Sequence, residues 1–209
     1  ANHDGDLCEG DVYVFNDPYD GGTHLSDFRL VKPIYRSGKI FCFLASVGHY
    51  HDVGGNVPGN YNPAATESFQ EGVLIPPVKL FKGGVLQQDI IDIMSANSRL
   101  PGSLYGDLNG QINALDLGTK RLNELLDQYG EDLVHEATVE LKARASKLMR
   151  AYISRLPDGE FEAVDWLDND GISDNPLKIK IKLKISGEKM ILDFSDTSPA
   201  CLGPVNISR

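Results

Sequence analysis

A mixed α+β fold is what this sequence predicts, and three changes of pattern along the chain predict it. The first third holds short β-prone segments framed by Gly, Pro and Asp. The middle shows apolar residues recurring every three to four positions, and the last third switches to strict alternation. With 41% hydrophobic and 24% charged residues in 209, the composition is that of a folded globular chain and excludes disordered, collagenous and disulfide-framework classes.

In chain order, Val12 to Phe15, Phe28 to Tyr35 and Ile40 to Val47 read as strands, the last two joined by the turn Arg36-Ser37-Gly38-Lys39 into a β-hairpin. Gly48 to Pro77 has almost no periodicity. Gly54, Gly55, Pro58, Gly59, Pro63, Pro76 and Pro77 restrict its backbone, and Val53, Val57, Tyr61, Phe69 and Ile75 anchor it, so a long ordered loop is expected. Helices are expected at Leu86 to Asn97, Asp107 to Tyr129 with Gly130 as the stop, and Glu131 to Ser154. In the third helix Val134, Thr138, Leu141, Ala145, Leu148 and Tyr152 fall on one face, expected to be core. Leu177, Ile179, Ile181, Leu183 and Ile185 then alternate with Lys178, Lys180, Lys182 and Lys184. That pattern gives a half-buried strand whose lysine row is a solvated edge face, turning at Ser186-Gly187-Glu188 into Met190 to Phe194, a second, antiparallel β-hairpin. The organisation is thus a strand and loop region at 1–84, a helical region at 85–156 and a β region at 157–209, in one domain or a fragment of a larger subunit.

A net charge of −10 disfavours nucleic acid, whose phosphates such a surface repels. The longest apolar run, Ile40 to Val47, is far below the roughly 20 residues of a membrane span. Cys8, Cys42 and Cys201 are odd in number and lack CxxC spacing, which fits a reducing, cytoplasmic setting, with Cys42 a buried and inert thiol. No GxxxxGK[ST], GxGxxG or GxSxG pattern occurs, so the chain writes no familiar phosphate cradle or serine-nucleophile elbow.

Metal-ligand residue types concentrate in two segments, Asn16 to Asp27 and Gly48 to Gly55, and four of the five histidines precede position 52. Imidazole with carboxylate is the donor set of Zn²⁺, Mn²⁺ or Fe²⁺ rather than of Ca²⁺. His24 and Asp27, three apart in a Gly-led turn, can reach one ion from a single loop. His49 and His51 share a face if the preceding strand continues, so either can complete the set. Two histidines and one carboxylate leave coordination positions open, as catalytic sites do. The loop from Gly54 to Pro77 is expected to line a substrate site beside the metal, with Glu67 and Glu71 as candidate general bases.

The runs GDVYVFNDPYDGGTHLSD, ASVGHYHDVGG and PGNYNPAATESFQEGVLIPPVKL, followed by Asn97, Arg99, Gly106-Asp107-Leu108 and Gln111, resemble the B-type subunit of the hydantoinase/oxoprolinase family. That family also includes the metal-bearing subunits of acetone and acetophenone carboxylases. The resemblance runs from about Gly10 to Asn206, and members are much longer, so a fragment, cleaved piece or part of a split subunit is expected. It implies that His24, Asp27 and His49 are the metal ligands, leaving His51 and Asp52 to contact ligands or substrate. It further implies an A-type partner that binds ATP and phosphorylates an amide or enol oxygen, after which the B-type subunit completes the reaction. Cyclic amides would be opened by water in the hydrolytic version, and an enol-type intermediate would be carboxylated in the other. The THLSD form of the first motif is closer to the hydrolases, though acetophenone carboxylase subunits share it. A non-catalytic scaffold whose acidic loops bind a partner subunit is the alternative of another class.

Overall fold

The structure, a computed structural model, describes residues 6–206. These form two compact units, one reaching to Leu122 and one from Asn123 to Val205.

The first unit is built on a five-stranded antiparallel sheet. Its strands are β1 (Val12–Phe15), β2 (Asp27–Arg36), β3 (Lys39–His49), β4 (Val78–Lys82) and β5 (Val85–Leu86), in the spatial order β3-β2-β1-β4-β5. The β2–β3 hairpin closes where expected: Arg36 pairs with Lys39, and Ser37 and Gly38 between them both take positive φ, 51° and 73°. Two left-handed residues match the twist of a two-residue hairpin, and a glycine in the second place removes the Cβ penalty there. β4 and β5 lie outside the expected set, because VKLFK and VL are too short and too lysine-broken to register as alternation.

Alternation places Val12, Val14, Phe28, Leu30 and Leu80 on one face, where they form the core with helices α1 (Gln88–Ala96) and α2 (Pro101–Tyr129). Helix α2 begins six residues before the expected Asp107. Proline suits the first helical turn, where its missing N–H breaks no bond. Ile91 and Met94 of α1 and Leu104, Leu108 and Leu115 of α2 complete the core. Gln111 lies on the same buried stripe and is fully engaged: Nε2 donates to the carbonyls of Phe28 (3.1 Å) and Ser46 (3.2 Å), and Oε1 accepts from Tyr50 Oη at 2.7 Å. A Cβ on Gly48 would sit 3.0 Å from the Gln111 amide carbon, so the glycine leaves room for this bridge between helix and sheet.

The second unit holds α3 (Glu131–Ile153), whose span agrees with expectation to one residue, and an antiparallel sheet of β6 (Gly159–Leu167), β7 (Leu177–Ser186) and β8 (Lys189–Asp193). Two expectations are corrected here. The apolar stripe of α3 is not core among the described residues: Val134 is half-buried and Thr138, Leu141, Ala145, Leu148 and Tyr152 are exposed, while Ile153 is the buried residue of the helix. Periodicity reports that a face is apolar and is silent on whether the partner is in the same stretch of chain. Nor is β7 an edge strand, since β6 pairs along its full length from Gly159↔Ile185 to Leu167↔Leu177. Its lysines are ion-paired rather than merely solvated, Lys180 with Glu162, Lys182 with Asp196 and Lys184 with Glu160. Cys42 is half-buried, and burial pushes its thiol pKa up, as an unreactive thiol requires. No described helix is long and apolar enough to cross a membrane.

Candidate metal centre

Asp27 opens β2, His49 closes β3, and the hairpin register sets them directly opposite one another. His24 comes from the turn just before β2, which is closed by the Asp27 N–H donating to the His24 carbonyl (3.1 Å) and the His24 N–H donating to Asp27 Oδ2 (3.0 Å). Two local devices and one long-range pairing therefore converge on one carboxylate. His24 Nδ1 lies 2.9 Å from Asp27 Oδ2 and His49 Nδ1 lies 2.7 Å from Asp27 Oδ1, with the two rings edge-on at 5.7 Å.

The donor atoms of these three side chains all fall within 4.8 Å of one another. Ligands around one ion at about 2.1 Å sit roughly 3.0 to 3.4 Å apart, so donor atoms as far apart as 4.8 Å close by about 1.4 Å or more, which takes rotation of the two imidazoles. With His24 62% and His49 47% exposed, that freedom exists. Burial by itself would raise the Asp27 carboxyl, but hydrogen bonds from His49 and His24 outweigh it and hold the group below its ordinary range, hence anionic. The residues fit a divalent ion with open coordination positions.

The first motif is braced from beneath. Arg29 is buried, donates Nη2 to the Asp17 carbonyl (2.9 Å) and Nη1 to the Asp20 carbonyl (3.3 Å), and stacks 4.8 Å over Phe15. A Cβ on Gly22 would meet Arg29 Nη2, so the glycine lets the loop lie on the guanidinium. Asn16, wholly buried, donates Nδ2 to the Leu25 carbonyl (2.7 Å) and the Val73 carbonyl (2.8 Å) and accepts from the Ile75 N–H (2.7 Å). It ties the metal-side turn to the far end of the long loop. Neither the role of Arg29 nor the bridge made by Asn16 is marked by any sequence pattern, and their burial despite polarity becomes visible only in the fold.

The long loop is ordered by its own polar core. Asp52 accepts from the N–H groups of Gly54 (3.0 Å), Gly59 (3.0 Å) and Arg99 (3.1 Å) and from Arg99 Nη1 (3.1 Å). These bonds outweigh the burial penalty and hold its carboxyl at about 2. Asp52 is therefore an organiser of the loop, and its hydrogen bonds go to neither His24 nor His49. Arg99 also donates to the carbonyls of Gly54, Gly55 and Val57, and Asn60 spans Val53, Gly54 and Glu71. Of the candidate bases, Glu67 is exposed just before a single 3₁₀ turn at Ser68–Gln70. Glu71, just after it, is half-buried, and burial raises its carboxyl against the opposing field of His24. His51 is exposed with Nδ1 3.5 Å from Ser103 Oγ at the start of α2, apart from the three-residue cluster.

Comparison with known proteins gives the family of the chain. The sequence pattern of the hydantoinase B/oxoprolinase family matches residues 1–209. The chain belongs to that family. It is 38% identical to the beta subunit of the caprolactamase of Pseudomonas jessenii over 88% of this chain and 32% of that protein. The crystal structure of the ATP-dependent caprolactamase from the same organism superposes with a TM-score of 0.83 at 36% identity, covering 91% of this chain and 33% of that one. The B subunit of a putative D-/L-hydantoinase from a Pseudomonas species is 33% identical over 95% of this chain and 35% of that protein. The acetophenone carboxylase delta subunit of Aromatoleum aromaticum is 28% identical over 96% of this chain and 30% of that protein. The chain thus spans about a third of the length of these relatives.

Proposed function

We propose that this chain carries the metal site of a B-type subunit in an ATP-dependent cyclic-amide hydrolase. The observation that carries the reading is the convergence of His24, Asp27 and His49 on a register-paired pair of strand ends. Support comes from its likeness to a protein named as a caprolactamase subunit. An A-type partner uses ATP to phosphorylate the amide oxygen, and this subunit acts on the activated ring in a reducing, cytoplasmic setting that suits its three free cysteines.

His24, Asp27 and His49 would hold the divalent ion, Zn²⁺, Mn²⁺ or Fe²⁺, which when bound would supply Lewis acidity and lower the pKa of a water. Asp27 orients both imidazoles through its two oxygens. Glu71 takes the water's proton on its carboxylate, a half-buried group whose pKa burial raises against the opposing field of His24. Glu67, exposed at the turn, and His51 with Ser103 are the polar groups left to contact substrate.

The acetophenone carboxylase relative favours a second reading, in which the same site orients an enol-type intermediate for carboxylation. Elemental analysis of the purified complex, followed by ATP-dependent turnover of a lactam and of a ketone with labelled bicarbonate, separates the two. A complex that is fully assembled and free of metal would leave only the scaffold role.

A further inference from the structure

The register of the first sheet fixes what surrounds the cluster. Because Phe28 and Leu30 point into the core, Asp27, Arg29, Val31 and Pro33 of β2 stand on the opposite face. Across from them stand His49, Val47, Ala45 and Phe43 of β3. The two sides of this face differ. Toward β1 it is closed: Arg29 is buried with Nη1 and Nη2 on the Asp20 and Asp17 carbonyls and its Nε without a hydrogen-bond partner among the described residues, and Lys79, 5.8 Å over the Tyr13 ring, pairs with Asp11 and Asp6. Along β3 it is open. Val47 is 63% and Phe43 52% exposed, and Ala45 between them is exposed as well. Among the described residues, an uncovered apolar row therefore runs along β3 and ends at His49.

We propose that this row is the wall against which the ring carbons of the substrate lie, and that Val47 selects an uncharged cyclic amide over one bearing a carboxylate. The inference rests on the cyclic-amide reading above. A strand rises ~3.4 Å per residue, so Val47 lies about 7 Å from His49 along β3, Ala45 about 14 Å and Phe43 about 20 Å. A single ring held by its amide at the cluster reaches Val47, while only long substituents reach Phe43. Apolar ring carbons find a matching surface there. A ring carboxylate instead finds the exposed isopropyl group of Val47, while the guanidinium of Arg29 across from it is buried beneath the Asp17 to Gly22 loop. The exposed apolar row acts toward neutral lactams.

The test uses the assembled enzyme, with an unsubstituted seven-membered lactam and a five-membered lactam bearing a carboxylate. Losing one apolar contact in such a wall changes kcat/KM by about 10-fold to 200-fold in enclosed pockets, and an open wall belongs near tenfold. Val47→Thr, which keeps the β-branched shape, is expected to raise KM for the seven-membered lactam about tenfold with kcat and metal content unchanged. Val47→Lys is expected to shift the preference between the two substrates toward the carboxylate by more than tenfold. Turnover with both KM values within twofold of wild type in both variants would overturn the inference and leave the functional reading intact. If the wild type turns over no cyclic amide, that reading falls, and saturation-transfer NMR of the seven-membered lactam still decides the wall. Ring protons saturated less by Val47→Lys than by wild type support it, and equal saturation overturns it.

Discussion

Replacing Asp52 by asparagine tests how the long loop is held. The carboxylate is buried at 4% exposure and receives three N–H groups and the Arg99 guanidinium, all at 3.0 to 3.1 Å. Its carboxyl is held at about 2 against an ordinary 3.8, a depression of 3.8 − 2, or about 1.8, which at 1.36 kcal/mol per unit corresponds to about 2 kcal/mol of stability. A folded-state value below the unfolded one means this stability is fully present above pH 4 and is lost as the pH falls toward 2. The amide of Asp52→Asn would also turn an NH₂ group toward N–H donors, since both carboxylate oxygens accept, and a buried mispaired donor costs about 1 to 3 kcal/mol more. The expected total is about 3 to 5 kcal/mol, read from urea unfolding at pH 7. The variant should also lose the wild type's added instability between pH 4 and pH 2. A loss below about 1 kcal/mol, or an acid profile unchanged by the substitution, would refute the assignment of Asp52 as the loop's organiser.

Asp27→Asn and His24→Ala are expected to lower bound metal to below a tenth of wild type by elemental analysis, with circular dichroism unchanged because both positions are partly exposed. Removing metal with a chelator should abolish turnover, and re-adding one divalent ion per subunit should restore it. Glu71→Gln is expected to reduce kcat by about 10²-fold to 10⁴-fold at constant metal content, whereas Glu67→Gln changes it less than threefold; equal effects would remove Glu71 from the base role. Gln111→Ala leaves the Phe28 and Ser46 carbonyls and the Tyr50 hydroxyl without their partner, and about 2 to 3 kcal/mol of stability should disappear in denaturant unfolding.

Local order was legible in the residues. Strand β1, the β2–β3 hairpin with its Ser37-Gly38 turn, and α3 follow from alternation, turn chemistry and helical period, which act over a few neighbouring residues. The pairing of His24 with Asp27 is of the same kind, a contact across three positions of one turn. His49 over His51 is not, for a histidine's place beside Asp27 depends on the register of a hairpin whose paired ends are 22 positions apart, and a slip of one residue would turn it to the other face. The tertiary structure alone decided that Asp52 faces Arg99, that Asn16 joins Leu25 to Val73 and Ile75, and that β7 lies between two strands. It also left the apolar stripe of α3 exposed and the β3 row open beside His49. Sequence pattern states what each face wants to meet, and only the folded chain states what it meets, because burial belongs to pairs of distant segments rather than to either one.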